Sequence, residues 1–261
     1  MILVGLEDKI EEFKKLIKEN KLRQSYLFFG EPGIGKFTFA RCLVNFLESG
    51  EFIPANKPLI DSKIFQPEAC PPTGGETGFI GIDSVRRLKQ FLYQRPLISC
   101  RRSAIFDEAD SLTPEAQNAL LKIIEEPPSF SLIIFISREP SVFSSTLASR
   151  FTKVYFPRLS QKSIARFLKE NFQVEVSRAA AISRQSFGRI GRALQLLNPK
   201  PLDVSTDSVS EYLENLILSL RKNLFKNSSK LIWLLEREEL LKRYNLNPKL
   251  QFKAIQQKIN E

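Results

Sequence analysis

The sequence predicts an α/β fold in three parts. A parallel five-stranded sheet, covered by helices on both faces, spans residues 1–157. A small helical unit follows at 158–198, and a short all-α domain at 199–261. Three observations carry this expectation. A glycine-rich segment lies between an apolar strand and a helix at 26–47. Short apolar strands alternate with helical patterns over about 155 residues, the signature of a sheet buried on both faces. After Pro157 only helical periodicity remains.

The elements follow in chain order. Residues 7–21 carry Ile10, Phe13, Leu16 and Ile17 on one helical face. Tyr26-Leu27-Phe28-Phe29 is an apolar run ending at Gly30, which reads as a buried strand, and a helix follows over 36–47. Residues 58–65 form a second candidate strand, and the Pro, Gly and Thr of 66–79 mark a loop. A helix is expected at 83–93 with Asp83 or Ser84 as its N-cap. Ser103-Ala104-Ile105-Phe106 is the third strand. Thr113 then caps a helix with Pro114 at its first position, and Pro127-Pro128 stop that helix after about Glu125. Strands at 132–136 and 153–156 complete the sheet. Helices at 160–171, 177–185 and 189–197 make the small unit. Residues 198–201 read as a linker, with three more helices at 207–225, 228–243 and 248–259. Trp233 reads as helix-packing core.

Composition narrows the chemistry. The 261 residues contain no histidine and only three cysteines, Cys42, Cys70 and Cys100, far apart in the chain. Histidine bases, Ser-His and Cys-His dyads and His-ligated metals are therefore excluded, and neither a disulfide framework nor a zinc site is expected. No run approaches the roughly 18 apolar residues of a membrane span. The N-terminus lacks a basic segment followed by an apolar run. These features suit a cytoplasmic protein. The net charge of +10 fits an anionic partner such as nucleic acid, or simply a solvated basic surface. Arg86, Arg87, Arg101, Arg102, Arg138, Lys153 and Arg158 are candidates for a phosphate backbone, without the interleaved aromatics of a base-stacking face.

Gly30-Glu31-Pro32-Gly33-Ile34-Gly35-Lys36-Phe37-Thr38 fills the phosphate-binding pattern G-x-x-x-x-G-K-[ST] through Lys36. Its glycines Gly30, Gly33 and Gly35 let backbone N–H groups approach phosphate, and Lys36 supplies charge. At the next position a hydroxyl normally ligates Mg²⁺, and Phe37 has none. Thr38 lies one residue on, about 100° round the helix, and is not a simple substitute. Asp107-Glu108 end the third strand as a Walker B pair, the Asp to hold Mg²⁺ through water and the Glu to polarise the attacking water. Alone, such a pair is commonly a strand-end turn. Behind a phosphate loop it is far more specific. Arg150, in Ser149-Arg150-Phe151, is placed to reach a neighbour's γ-phosphate as a trans arginine finger, or is a surface arginine.

Asp107-Glu108-Ala109-Asp110, Leu112 through Lys122 and Glu125-Glu126-Pro127-Pro128 closely resemble the AAA+ subunits of bacterial DNA polymerase III clamp loaders. Ser149-Arg150 resembles the family's Ser-Arg-Cys motif, with Phe151 for Cys. Ile82 through Arg86 is similar to its helix before the Walker B strand, and Gly188 through Leu194 to its lid motif. Residues 245–250 are similar to the C-terminal signature of the delta-prime subunit. The resemblance implies an AAA+ P-loop domain (1–157), a helical lid (158–198) and a short helical collar (199–261).

The departures point to one member of that family. Phe37 replaces the Mg²⁺-binding hydroxyl. Gly191, with Arg192 beside it, stands where hydrolysing subunits carry a nucleotide-sensing arginine. Ser137-Arg138 replaces a Thr-rich sensor, and residues 43–58 contain no zinc cysteines. Losses in the nucleotide apparatus with Arg150 kept resemble the delta-prime subunit. That resemblance implies a stator that does not hydrolyse ATP and donates Arg150 to a motor subunit. It would work in a hetero-oligomer with gamma/tau and delta subunits, helping to load a sliding clamp on primer–template DNA. Its implied cofactor is ATP or ADP with Mg²⁺, held weakly and not needed, with Asp107 as the metal-side residue; no membrane is involved. Two other expectations stand beside it: an active ATPase (a gamma/tau-like motor or standalone AAA+ enzyme), and a binding module outside replication on an old ATPase fold.

Overall fold

The computed structural model describes residues 3–55, 57–67 and 78–198. In the C-terminal part it describes 209, 212–213, 216–217, 220–221, 224–243 and 248–260. These residues group into two compact units, one ending at Asn198 and the other beyond it.

The first unit is built on a five-stranded sheet in the order β2-β3-β4-β1-β5, with every neighbouring pair parallel. The strands are β1 (Ser25–Phe29), β2 (Ser62–Phe65), β3 (Arg102–Phe106), β4 (Ser131–Ser137) and β5 (Thr152–Tyr155). The helices are α1 (Glu7–Lys18), α2 (Lys36–Ser49), α3 (Ile82–Leu92), α4 (Pro114–Glu125), the single-turn α5 (Ser145–Ala148), α6 (Gln161–Phe172), α7 (Val176–Gln185) and α8 (Ile190–Leu197). The predicted α/β class and parallel five-stranded sheet are thus observed.

Side chains alternate across each strand, so the central strands serve two cores. Leu27, Phe106, Ile133 and Phe135 join Leu88 of α3 and Leu120 of α4 on one face. There Phe65, Phe106 and Phe135 stack across β2, β3 and β4, with ring centroids 4.7 and 4.8 Å apart. Phe28, Ile105 and Ile134 join Phe13 of α1 and Phe39 of α2 on the other. All seven residues of β4 are buried, which is why this strand reads as an unbroken apolar run.

The strand expected at 58–65 is shorter than its apolar pattern. The N–H groups of Ile60 and Asp61 donate to the Glu48 carboxylate of α2 instead of entering the ladder. Asp61 then turns inward. Its carboxylate accepts from the N–H groups of Leu97, Ile98 and Ser99 and pairs with Arg102 at 2.6 Å, both side chains being buried. Arg102 therefore belongs to the core and is withdrawn from the candidates for a phosphate contact. The cap of α3 is Gly81, not Asp83 or Ser84. Ser84 is buried instead, and its hydroxyl accepts from Arg87. Thr113 caps α4 as expected, accepting from the N–H of Ala116, with Pro114 in the first turn.

In the second unit, α9 (Leu224–Arg243) and α10 (Pro248–Asn260) correspond to the last two predicted helices. Val209, Leu213, Leu231, Leu234 and Ile255 form its core, and Trp233 packs against them beneath the Arg237 guanidinium. Residues 199–201 of the expected linker, much of the helix expected at 207–225, and residues 245–247 lie outside the described residues. No helix among the described residues is long and apolar enough to cross a membrane.

Candidate functional site

The site lies at the C-terminal ends of β1 and β3, where an open parallel sheet offers a crevice to a ligand. β1 runs into the glycine loop, and Gly35 precedes α2 in the left-handed conformation (φ 99°). Gly30 is held by its N–H to the Arg138 carbonyl at 3.0 Å. A Cβ there would fall 2.4 Å from the Phe156 carbonyl, so no other residue fits.

Lys36, the first residue of α2, is buried. Its Nζ donates to the carbonyls of Gly30 (2.6 Å) and Glu31 (2.8 Å), so the loop closes around its own lysine. Burial pushes the Lys36 ammonium down to about 8, against the opposing pull of Asp110 and Asp107. Phe37 is half-buried and packs against the core beneath the α1 and α2 face, with the Arg41 guanidinium over its ring. The residue that follows the lysine is thus a packed apolar ring with no oxygen to offer. Thr38 is half-buried on the next position of α2.

Asp107 directly follows β3, and its carboxylate accepts from the N–H of Glu108 at 3.1 Å. Burial raises the Asp107 carboxyl above its usual range. Glu108 is exposed in the left-handed conformation (φ 51°), and its carbonyl accepts from the Ser111 hydroxyl. Asp110, two residues on, accepts the Arg138 N–H, and burial raises its carboxyl too. Lys36 lies close enough to Asp107 and Asp110 for each to feel its charge, so the two segments meet in space. Ser137, at the end of β4, is buried and donates to the Glu139 carbonyl.

The lid motif meets the glycine loop directly. The Gly191 N–H donates to the Gly33 carbonyl at 2.7 Å. Beside this seam Arg158 pairs with Glu31 at 2.7 Å and holds its carboxyl below the usual range. Sequence reasoning missed both contacts. The signal for the first was present in two glycines, Gly33 and Gly191, each in a motif of its own.

Arg150 lies elsewhere, after α5 and before β5. It is exposed, and its guanidinium is held by the Glu125 carboxylate at the end of α4 and by the Thr146 carbonyl, each at 2.5 Å. The structure therefore gives two sets: Lys36, Asp107, Asp110 and the glycine loop together at the ends of β1 and β3, with Glu108 exposed next to Asp107, and Arg150 at a separate surface. Among the described residues no group of His, Cys, Asp or Glu has the arrangement of a metal site.

A parallel sheet in this order, a glycine loop closed on its lysine, an acidic strand end and a helical lid seated on the loop define a P-loop protein of the AAA+ class. The chain belongs to the family described as DNA polymerase III, delta subunit, whose model matches residues 5–160, and so to the bacterial clamp-loader AAA+ proteins. It is 26% identical over 222 residues to the DNA polymerase III subunit gamma/tau of Mycoplasma pneumoniae, covering 78% of this chain and 30% of that one. It is 28% identical over 211 residues to the subunit tau of Bacillus subtilis, covering 75% and 36%. The chain thus spans about a third of the length of these relatives. A gamma subunit-related protein of Thermotoga maritima shares the fold at a TM-score of 0.56 and 19% identity, covering 93% of this chain and 96% of that one. The RuvB Holliday junction branch migration motor of the same organism shares it at 0.52 and 16%, covering 74% and 60%.

Proposed function

We propose that this chain is a delta-prime-like subunit of a DNA polymerase III clamp loader, acting in the cytoplasm as a stator that does not hydrolyse ATP. It assembles with gamma/tau and delta subunits, helps place a sliding clamp on primer–template DNA, and donates Arg150 to a neighbour's nucleotide. Residues 1–157 would be the AAA+ domain, 158–198 the lid and 199–261 the collar. The observation that carries this reading is the contrast between the two sets. Phe37 packs into the core where a metal ligand belongs, while Arg150 stands at the surface with donors to spare.

The crevice suits phosphate better than it suits a metal. Gly33, Gly35 and the start of α2 offer backbone N–H groups, and Lys36 offers charge. Asp107 is the carboxylate that would face Mg²⁺, but α2 supplies no oxygen at Phe37. Nucleotide would bring a phosphate anion that Lys36 neutralises. To admit it beside Gly33, the Gly191 seam has to yield. Weak binding without turnover follows. Arg150 acts at the other surface: its N–H groups bond the γ-phosphate oxygens of a neighbour and offset charge that builds during phosphoryl transfer.

The test is the clamp- and DNA-stimulated ATPase of the motor subunits, assembled with this chain or with its Arg150→Ala variant. At unchanged assembly, the variant should lower kcat on the order of 10³-fold at the site it serves. An unchanged rate would reject the finger role. The second reading, an active ATPase, is favoured by Asp107 standing near Lys36 with Glu108 next to it in the chain. It requires turnover by the isolated chain that is lost in Lys36→Ala.

A further inference from the structure

Arg150 is carried on a short and exposed stretch. It follows α5, a single turn that buries Leu147 and Ala148 while Ser149 and Arg150 stay exposed. An arginine that must meet a phosphate held on another subunit loses rotamer entropy when it does so, and a fixed guanidinium avoids most of that cost. The question is what fixes it here.

Two side chains of α4 reach across to this stretch. Gln117 accepts from the Ser144 N–H at 2.9 Å and donates to the Val142 carbonyl at 3.2 Å, fixing the chain just before α5. Eight residues further along the helix, Glu125 meets the Arg150 Nη2 at 2.5 Å. α4 itself is firmly seated: Ala116, Leu120, Ile123 and Ile124 are buried, and Thr113 caps it. It is a rigid bar that grips the arginine-bearing segment at both ends.

The placement of Glu125 is otherwise unfavourable. It is the last residue of α4, where the helix dipole is negative and disfavours an anion. Arg150 relieves this, and its second bond is to the Thr146 carbonyl within α5. Only two of the five guanidinium N–H groups are used by these contacts. Three remain for an acceptor outside the chain, and the side chain keeps 32% of its surface exposed. The contact orients the fork without consuming it.

We infer that Glu125 is the positioning residue for Arg150: from the end of α4 it holds the guanidinium oriented outward, ready for an anionic phosphate on a neighbouring subunit. This rests on the trans role proposed for Arg150 and adds the residue that prepares it. Glu125 touches no substrate and acts only through Arg150.

A double-mutant cycle tests it in the assembled complex. kcat and KM for ATP are measured for the motor subunits with wild-type chain, Glu125→Ala, Arg150→Ala and the double variant. Assembly is checked by gel filtration. Glu125→Ala should lower kcat by about 10- to 100-fold, the scale of a misplaced catalytic group, and leave KM near its wild-type value. In the Arg150→Ala background the same change should have no further effect, because the residue it positions is gone. Glu125→Asp, which keeps the charge on a shorter arm, should recover part of the loss. Equal losses in both backgrounds would mean that Glu125 acts on the fold or on DNA, and would overturn the inference. An unchanged kcat in Glu125→Ala, with Arg150→Ala impaired, would overturn it while leaving the finger role intact. An unchanged kcat in Arg150→Ala would remove both.

Discussion

Gly191 and Gly33 meet backbone to backbone, with the Gly191 N–H bonded to the Gly33 carbonyl at 2.7 Å. The contact joins the lid to the phosphate loop, and it is the bare backbone of Gly191 that lets the two segments come this close. A Cβ on Gly191 would lie 3.2 Å from both the Cα and the oxygen of Gly33.

Gly191→Val should therefore lift the lid from the loop. Overpacking of this kind costs about 1–3 kcal/mol. In a domain of this size that lowers Tm by a few degrees, at about 2–4 °C per kcal/mol. Hydrogen exchange at the amides of residues 33–36 should accelerate, while exchange in β4 stays slow. Unchanged protection at 33–36 would show that the seam does not restrain the loop.

Lys36 offers a titration. Burial drives its ammonium down to about 8, and Asp110 is the strongest influence holding it up. NMR of the Lys36 Cε should show a midpoint near 8, and Asp110→Asn should move it lower. The sign for stability follows from proton counting. Between about pH 8 and the ordinary lysine range near 10.4, the unfolded chain binds more protons than the folded one. The Lys36 contribution to stability therefore rises with pH across that window. A midpoint at the ordinary lysine value would contradict the burial and bonding seen here.

Asp61 titrates in the opposite region. Burial pushes its carboxyl up, but three backbone N–H groups and Arg102 outweigh burial and hold it below the usual range. A depressed carboxyl contributes stability that is present above the unfolded pKa and lost as pH falls through the folded one. The wild-type urea midpoint should drop below about pH 4, and Asp61→Ala should remove part of that dependence. At pH 7 the variant should be about 3–5 kcal/mol less stable, because it leaves Arg102 buried and unpaired. A loss well under 1 kcal/mol would mean that water reaches Arg102.

Much of this was legible in the chain. β1, β3 and β4 were readable as apolar runs because strands buried on both faces carry little else. Thr113-Pro114 announced the start of α4 because cap chemistry is local. The phosphate loop and Asp107-Glu108 were readable for the same reason: each is a short segment whose chemistry needs its residues in order. Errors arose where a distant group intervened. β2 was drawn too long because the Glu48 carboxylate, far off on α2, takes two of its N–H groups. Arg102 was counted as a surface cation because its partner, Asp61, lies 41 residues away.

The α/β class, the order of the elements, the lack of histidine and the apolar Phe37 after the lysine of the phosphate-loop pattern could all be read from the chain alone. These follow from periodicity, composition and contiguous motifs, which act over a few residues. Only the tertiary structure decided which groups meet: Gly191 on Gly33, Arg158 on Glu31, Asp61 on Arg102, and Glu125 on Arg150. Each pair joins segments brought together by the packing of the sheet and its helices. Contacts of that kind depend on distance and direction in three dimensions, which neither composition nor spacing along the chain records.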